Sequence, residues 1–312
     1  MALVSIGLPV FNGEKYIRRA LESFLAQSFG DFEVIVCDNA SSDATEVICR
    51  EFTARDRRIR YHRNAANIGA GPNFNLAFKL SSARYFKWAA HDDYCAPEYL
   101  EKMVDALESD ASIVLCSSEI QWVDELGQFV RRYRDDLARA ASPSVVERFR
   151  LLSSLSHGCF DIFGLMRREV LKKTPLIASY IGSDRALLAE MGLYGRVYRV
   201  PQVLFFSRDH PERSLRALKL HERGEWWDPA LKGKHNAPWW RLLREYHGAL
   251  SRAPLQVQER LGCQCVLFYW MRRNWRFLLT DVGRMLSPAV GTTSLRLPAE
   301  RAVRTDGSKI EG

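Results

Sequence analysis

A mostly parallel α/β sheet with flanking helices is the fold this sequence predicts, and three observations predict it. Short apolar runs rich in Val, Ile and Phe recur through the first 120 residues. An amphipathic segment long enough for a crossover helix follows most of them, as parallel strands require. Polar clusters stand directly after three of the runs, where ligands of open α/β sheets gather.

The elements follow in order. Residues 4–8 form a short strand stopped by Pro9, and Asn12 is placed to cap a helix carrying Ile17, Leu21, Phe24 and Leu25. Residues 32–37 make the second strand, ending at Asp38. Ser42 and Asp43 open a helix bearing Val47, Ile48 and Phe52, with Asp43 and Glu46 at capping-box separation. Residues 59–62 are a third strand, 64–72 a Gly/Asn loop and 73–80 a helix. The aromatic run from Tyr85 to Ala90 reads as a fourth, buried strand. Residues 97–107 form an amphipathic helix through Leu100, Met103, Val104 and Leu107, and 113–116 a fifth strand.

The second half is less regular. Residues 121–130 suggest a hairpin turning at Glu125-Leu126-Gly127, and 160–166 an apolar strand. Ser183-Asp184 precedes a helix with Leu187, Leu188 and Met191 that Gly192 or Gly195 ends. Two short strands, 197–200 and 203–206, are broken by Pro201. From 222 the composition turns to Trp, Pro, Lys and Arg. The expected plan is therefore a domain over 1–221 (nucleotide-binding half 1–118, acceptor half 119–221), a helical, basic and aromatic extension over 222–286, and a disordered tail over 287–312.

Composition bounds the function. No apolar run reaches the roughly 18 residues of a membrane span, and no basic leader precedes the first strand. Seven cysteines without CxxC pairs fit reduced thiols. The expected location is cytoplasmic. The formal charge of +8 asks for an acidic partner, and much of the basic excess lies beside aromatics in the final third, at Trp270-Met271-Arg272-Arg273-Asn274-Trp275-Arg276-Phe277. That segment suits an anionic membrane surface, hence a peripheral location at the inner face of the plasma membrane, better than a nucleic acid.

Three clusters carry chemistry: Pro9-Val10-Phe11-Asn12-Gly13, Asp38-Asn39-Ala40-Ser41-Ser42-Asp43 and His91-Asp92-Asp93. The first can bring main-chain N–H groups to a base or phosphate, and Asp38 can accept from the N–H of a pyrimidine ring. Two adjacent carboxylates after a buried strand suit a hard divalent cation holding a diphosphate, or alternatively an N-cap before the helix near Pro97. Each cluster alone reads equally well as turn and capping chemistry.

Together, Pro9-Val10-Phe11-Asn12-Gly13-Glu14, Tyr16-Ile17, Gln27-Ser28-Phe29, Asp38 to Thr45, Asn67-Ile68-Gly69 with Asn73 and Asn75, and His91-Asp92-Asp93 with Pro97 resemble the family 2 glycosyltransferases of the GT-A fold. The resemblance runs from about Val4 to Ser214 and implies an inverting transfer from a nucleoside-diphosphate sugar, UDP or dTDP favoured, to a hydroxyl of a glycan or lipid-linked acceptor in surface polysaccharide synthesis. It implies that Pro9, Phe11, Asn12, Glu14, Asp38, Asn67 and Asn75 line the donor pocket with Asp92 and Arg208. It implies Mg²⁺ or Mn²⁺ held by Asp92, Asp93 and His210, and Asp184 as catalytic base, with Asp161 as its rival. The sequence departs from the family pattern at Ala90, where the first carboxylate of a DxD motif would stand, and at Phe74, where many members carry Arg. A nucleotidyltransferase and a degenerate, non-catalytic nucleotide-binding module are the alternatives. The first lacks its compact basic glycine loop here, and a nicotinamide dehydrogenase lacks its GxGxxG.

Overall fold

The structure, a computed structural model, describes residues 2–154, 156–213, 220–232 and 237–286. Among the described residues, nine strands form one sheet. β1 (Val4–Val10), β2 (Phe32–Asp38), β3 (Ile59–Arg63) and β4 (Tyr85–Trp88) are parallel in the order β3-β2-β1-β4. β8 (Leu165–Arg167) is antiparallel to both β4 and β6 (Ile113–Val123). β6 and β9 (Arg196–Arg208) are parallel to one another, so both run in the sense of β4. β5 (Tyr94–Cys95) closes the far edge against β9, and β7 (Phe129–Arg132) folds back on β6.

Helices cover both faces, as a sheet buried on both sides requires. α1 (Ile17–Leu25), α2 (Thr45–Arg55) and α4 (Tyr99–Ser109) bury Leu21, Phe24, Phe52, Leu100 and Met103 on one face. α3 (Ala70–Lys79) seals the other face of β2 through Ala77 against Ile35 and Cys37. Beyond it lie α5 (Val145–Leu152), the short α6 (Arg168–Leu171) and α7 (Ser183–Tyr194). α8 (Leu220–Trp227), α9 (Pro238–Arg252) and α10 (Val257–Leu286) complete the chain. Tyr246 of α9 and Trp270 of α10 sit in one core with Phe149, Leu188 and Met191, so the C-terminal helices share the interior of the region carrying α5 and α7. The tail expected over 287–312 lies outside the described residues.

Several expectations need correction. Asn12 caps no helix: it adopts φ +50° and its Oδ1 accepts from the Ser42 N–H at 2.9 Å. Asp43 and Glu46 form no capping box; Asp43 pairs instead with Glu14, each carboxylate accepting a main-chain N–H from the other loop, Glu14 N and Ala44 N. α3 starts at Ala70 because Pro72 stands in its first turn, where a missing N–H costs nothing. Residues Phe160–Phe163 form a 3₁₀ turn, and only Leu165–Arg167 is strand. Pro201 does not break β9: Ser118 pairs with Val200 and Glu119 with Val203, so Pro201 and Gln202 bulge out of the ladder.

Candidate active site

β1, β2, β4 and β9 end along one edge, and the loops leaving them converge there. His210 Nε2 lies 2.9 Å from Asp92 Oδ2, joining the loop after β4 to the segment after β9. Tyr16 stacks on the His210 ring with centroids 4.6 Å apart. Burial opposes ionisation of Asp92, but the hydrogen bond from His210 and the pull of His91 and Arg213 hold its carboxyl well below the usual carboxylate range. With Asp92 ionised, Nε2 carries the proton between them, and the buried Nδ1 has no partner among the described residues.

The two adjacent carboxylates have separate fates. Asp92 lies in a bend of the loop after β4, and Asp93 immediately precedes β5. Asp93 turns inward, only 6% exposed, and accepts the Arg208 N–H at 2.8 Å. Burial, then the Asp92 charge, pushes its carboxyl up to about 7. Asp93 therefore ties β9 to this loop, and the Asp92–His210 pair is made without it.

Arg208 is also internal. Its Nε donates to the Asp92 carbonyl at 3.0 Å and its Nη1 to the Glu125 carbonyl at 2.6 Å, with the guanidinium 4.9 Å from the Tyr16 ring centroid. It fixes the path of the Asp92 loop, and two of its nitrogens are committed to main chain rather than to a phosphate.

Asp38, fully buried, already accepts four hydrogen bonds: Ser41 N and Oγ on Oδ1, Tyr61 Oη and Arg63 Nη1 on Oδ2. That fills a carboxylate's acceptor capacity. A base N–H reaches it only by displacing one of these donors, and Arg63, whose side chain is 35% exposed, is the mobile candidate. Pro9 is buried within β1 opposite Cys37, whereas Phe11 is 41% exposed at the edge. Asn12 and Glu14 are spent tying the first loop to the second. Asn67 accepts from Asn39 Nδ2 at 2.7 Å, the start of an amide ladder through Asn39, Asn64 and Asn73 that ends on the Cys37 carbonyl. Asn75 is turned elsewhere, bonding both N–H and C=O of Ile177 in the loop before α7.

Asp184 is the second residue of α7, entered through Gly182 at φ +91°, a left-handed turn that glycine adopts freely. α7 connects to β9 through Gly195 alone and packs back along β6 and β9. The carboxylate is half-buried and its Oδ1 accepts the Arg185 N–H at 2.8 Å. Beneath it, Arg185 donates to the carbonyls of Ser154 and His157. Asp161 is held differently: 1% exposed, it accepts from Ser117 Oγ at 2.5 Å and from Arg199 Nη2 at 2.7 Å.

Sequence reading missed Tyr16 as the floor under His210, the Asn39–Asn64–Asn73 ladder, and Arg199. The density of asparagines from 64 to 75 was a usable signal for the second; nothing local marks the others. It also missed Trp227, whose Nε1 donates to the Ala178 carbonyl at 2.6 Å while its ring stacks near Phe74. Trp227 thereby bridges the loop before α3, where Gly69 abuts its carbonyl, and the loop before α7 that holds Ala178.

The geometry agrees with what the chain is similar to. The family model "Glycosyl transferase family 2" matches residues 5–174. An uncharacterized glycosyltransferase of Rickettsia prowazekii is 30% identical over 243 residues, covering 74% of this chain and 72% of that protein. Of a longer Rickettsia bellii relative the chain spans 31%. Chondroitin synthase of Escherichia coli is 34% identical over 128 residues, 41% of this chain and 18% of that one. In fold, the chain resembles Staphylococcus aureus TarS solved with UDP (TM-score 0.65, 20% identity, 93% of this chain and 76% of that one). It also resembles the mannosyltransferase PcManGT of Pyrobaculum calidifontis, solved with GDP-Man and Mn²⁺ (TM-score 0.56, 18% identity, 97% and 79%). The fold is GT-A, and with its family model matched over more than half the chain, this protein belongs to glycosyl transferase family 2.

Proposed function

We propose that this glycosyltransferase moves a sugar, with inversion, from a nucleoside-diphosphate donor to a hydroxyl of a glycan or lipid-linked acceptor in surface polysaccharide synthesis. The observation that carries the reading is the hydrogen-bonded Asp92–His210 pair, 118 positions apart in sequence, which joins the loop after β4 to the segment after β9.

The residues present fit a divalent ion. Among the described residues no cluster of three or more His, Cys, Asp or Glu could hold a metal by itself. Asp92 and His210 would supply one oxygen and one nitrogen to such an ion, and donor phosphates would supply further oxygens. The imidazole favours Mn²⁺ over Mg²⁺. Such an ion would neutralise charge developing on the departing diphosphate.

The chain's own part is to bind, orient and move a proton. The Asn67 loop and the exposed Phe11 edge take the nucleoside; a uracil or thymine ring reaches Asp38 as Arg63 swings away, a motion the exposure of Arg63 permits. TarS, solved with UDP and with UDP-GlcNAc, supports a uridine donor. Asp184 takes the proton from the incoming hydroxyl as its oxygen meets the anomeric carbon from the face opposite the leaving group. The test is hydrolysis of a panel of donor sugars with Mn²⁺. Wild type should release diphosphate from one or a few donors and Asp92→Ala should not; equal rates in the two proteins would remove Asp92 from the site.

A further inference from the structure

α10 has two unlike faces. The inner one buries Cys263, Leu267, Trp270, Asn274 and Leu278 against the acceptor half. The outer one exposes Leu261, Phe268, Met271, Trp275 and Leu279, spaced as one stripe of a helix, with Phe268 69% and Trp275 51% exposed. Arg272, Arg273 and Arg276 flank this stripe, and from Arg260 to Thr280 the sequence contains no Asp or Glu. Among the described residues no helix is long and apolar enough to cross a membrane. A contiguous apolar stripe of this size with a one-signed border marks an interaction surface.

We propose that the outer face of α10 lies flat in the interface of an anionic bilayer, its aromatic stripe among the acyl chains and its arginines on headgroup phosphates. Charge complementarity selects this occupant. A second copy packed on the same stripe would bring no carboxylate from that segment to meet the arginines, whereas lipid phosphates supply the missing charge. The inference deepens the reading above by naming the surface where a lipid-linked acceptor would be met. Its test needs neither donor nor acceptor, so its failure leaves that reading standing.

The full chain is sedimented with phosphatidylcholine vesicles, with and without phosphatidylglycerol. Wild type should pellet with the anionic vesicles and stay in the supernatant with the neutral ones. Arg272→Gln/Arg273→Gln/Arg276→Gln should reduce the partition coefficient on the order of 100-fold, from about a fivefold contribution per basic residue. Phe268→Ser/Trp275→Ser should also lose binding, with the melting temperature and circular dichroism retained as proof of folding. Equal binding to neutral and anionic vesicles, or none to either at low salt, overturns the proposal. So does a concentration-dependent dimer in light scattering that Phe268→Ser/Trp275→Ser dissolves.

Discussion

Asp161 and Asp184 are the two carboxylates that compete for the role of base, and their surroundings separate them by experiment. Asp161 is buried against Arg199 and Ser117, and Arg199 also reaches Asp135 at 2.6 Å. Asp161→Asn removes the charge that Arg199 was buried to meet. Breaking a buried pair from one side costs about 3–5 kcal/mol. Unfolding entropy of ~2.1 cal/mol/K per residue amounts to roughly 0.65 kcal/mol/K for 312 residues, so the melting temperature should fall by about 5–8 °C. Asp184→Asn touches a half-buried residue in the first turn of α7 and should cost under about 1 kcal/mol, the helix-dipole contribution. Its effect should appear in turnover, reduced roughly 10²–10⁴-fold, with donor affinity unchanged. Calorimetry of donor binding, thermal melts and single-turnover kinetics on both variants give the comparison. The opposite pattern, with Asp161→Asn melting like wild type yet inactive and Asp184→Asn active, would refute the assignment.

Three further outcomes are expected. Burial, then the Arg185 charge, depresses the His157 pKa to about 3 from an ordinary 6.5, so between those values the unfolded chain binds a proton the folded chain refuses. Stability from this residue is therefore lost as pH falls below about 6.5, by about 1.4 kcal/mol per pH unit. Urea unfolding from pH 7 to 5 should show a pH slope smaller by that amount in His157→Gln, and parallel curves for the two proteins would count against the buried neutral imidazole. Gly195→Ala should destabilise by about 1–3 kcal/mol, because an added Cβ would lie 2.5 Å from the Ser112 carbonyl, backbone that cannot step aside; an unchanged denaturation midpoint would contradict it. His210→Ala should raise the Mn²⁺ concentration needed for donor hydrolysis by roughly 10–100-fold, and an unaltered Mn²⁺ titration would exclude His210 from the metal.

The strand and helix sequence of the first half was legible because its signals are local. Apolar runs of strand length and amphipathic intervals act within a few residues, and the observed β1, β2, β3 and β4 begin where those signals put them. β1 nonetheless runs through Pro9, which local rules read as its stop, to Val10, and β2 takes in Asp38, so the first two polar clusters start inside their strands. Only the tertiary structure decided who partners whom. Asp92 meets His210 because β9 returns parallel to β4 with one antiparallel strand and β6 between them. Asp92 and Asp93 are adjacent and alike in sequence, yet one meets His210 across the loop and the other accepts the Arg208 N–H inside the fold. Asp38 carries the right chemistry for a base, but Tyr61 and Arg63, brought beside it by the β2–β3 register, already occupy it. A bulge absorbs Pro201, which local rules read as a break. Local periodicity specifies which face of an element is buried; the hydrogen-bond partners of a buried polar group depend on register and loop path across tens of residues, and no local pattern encodes those.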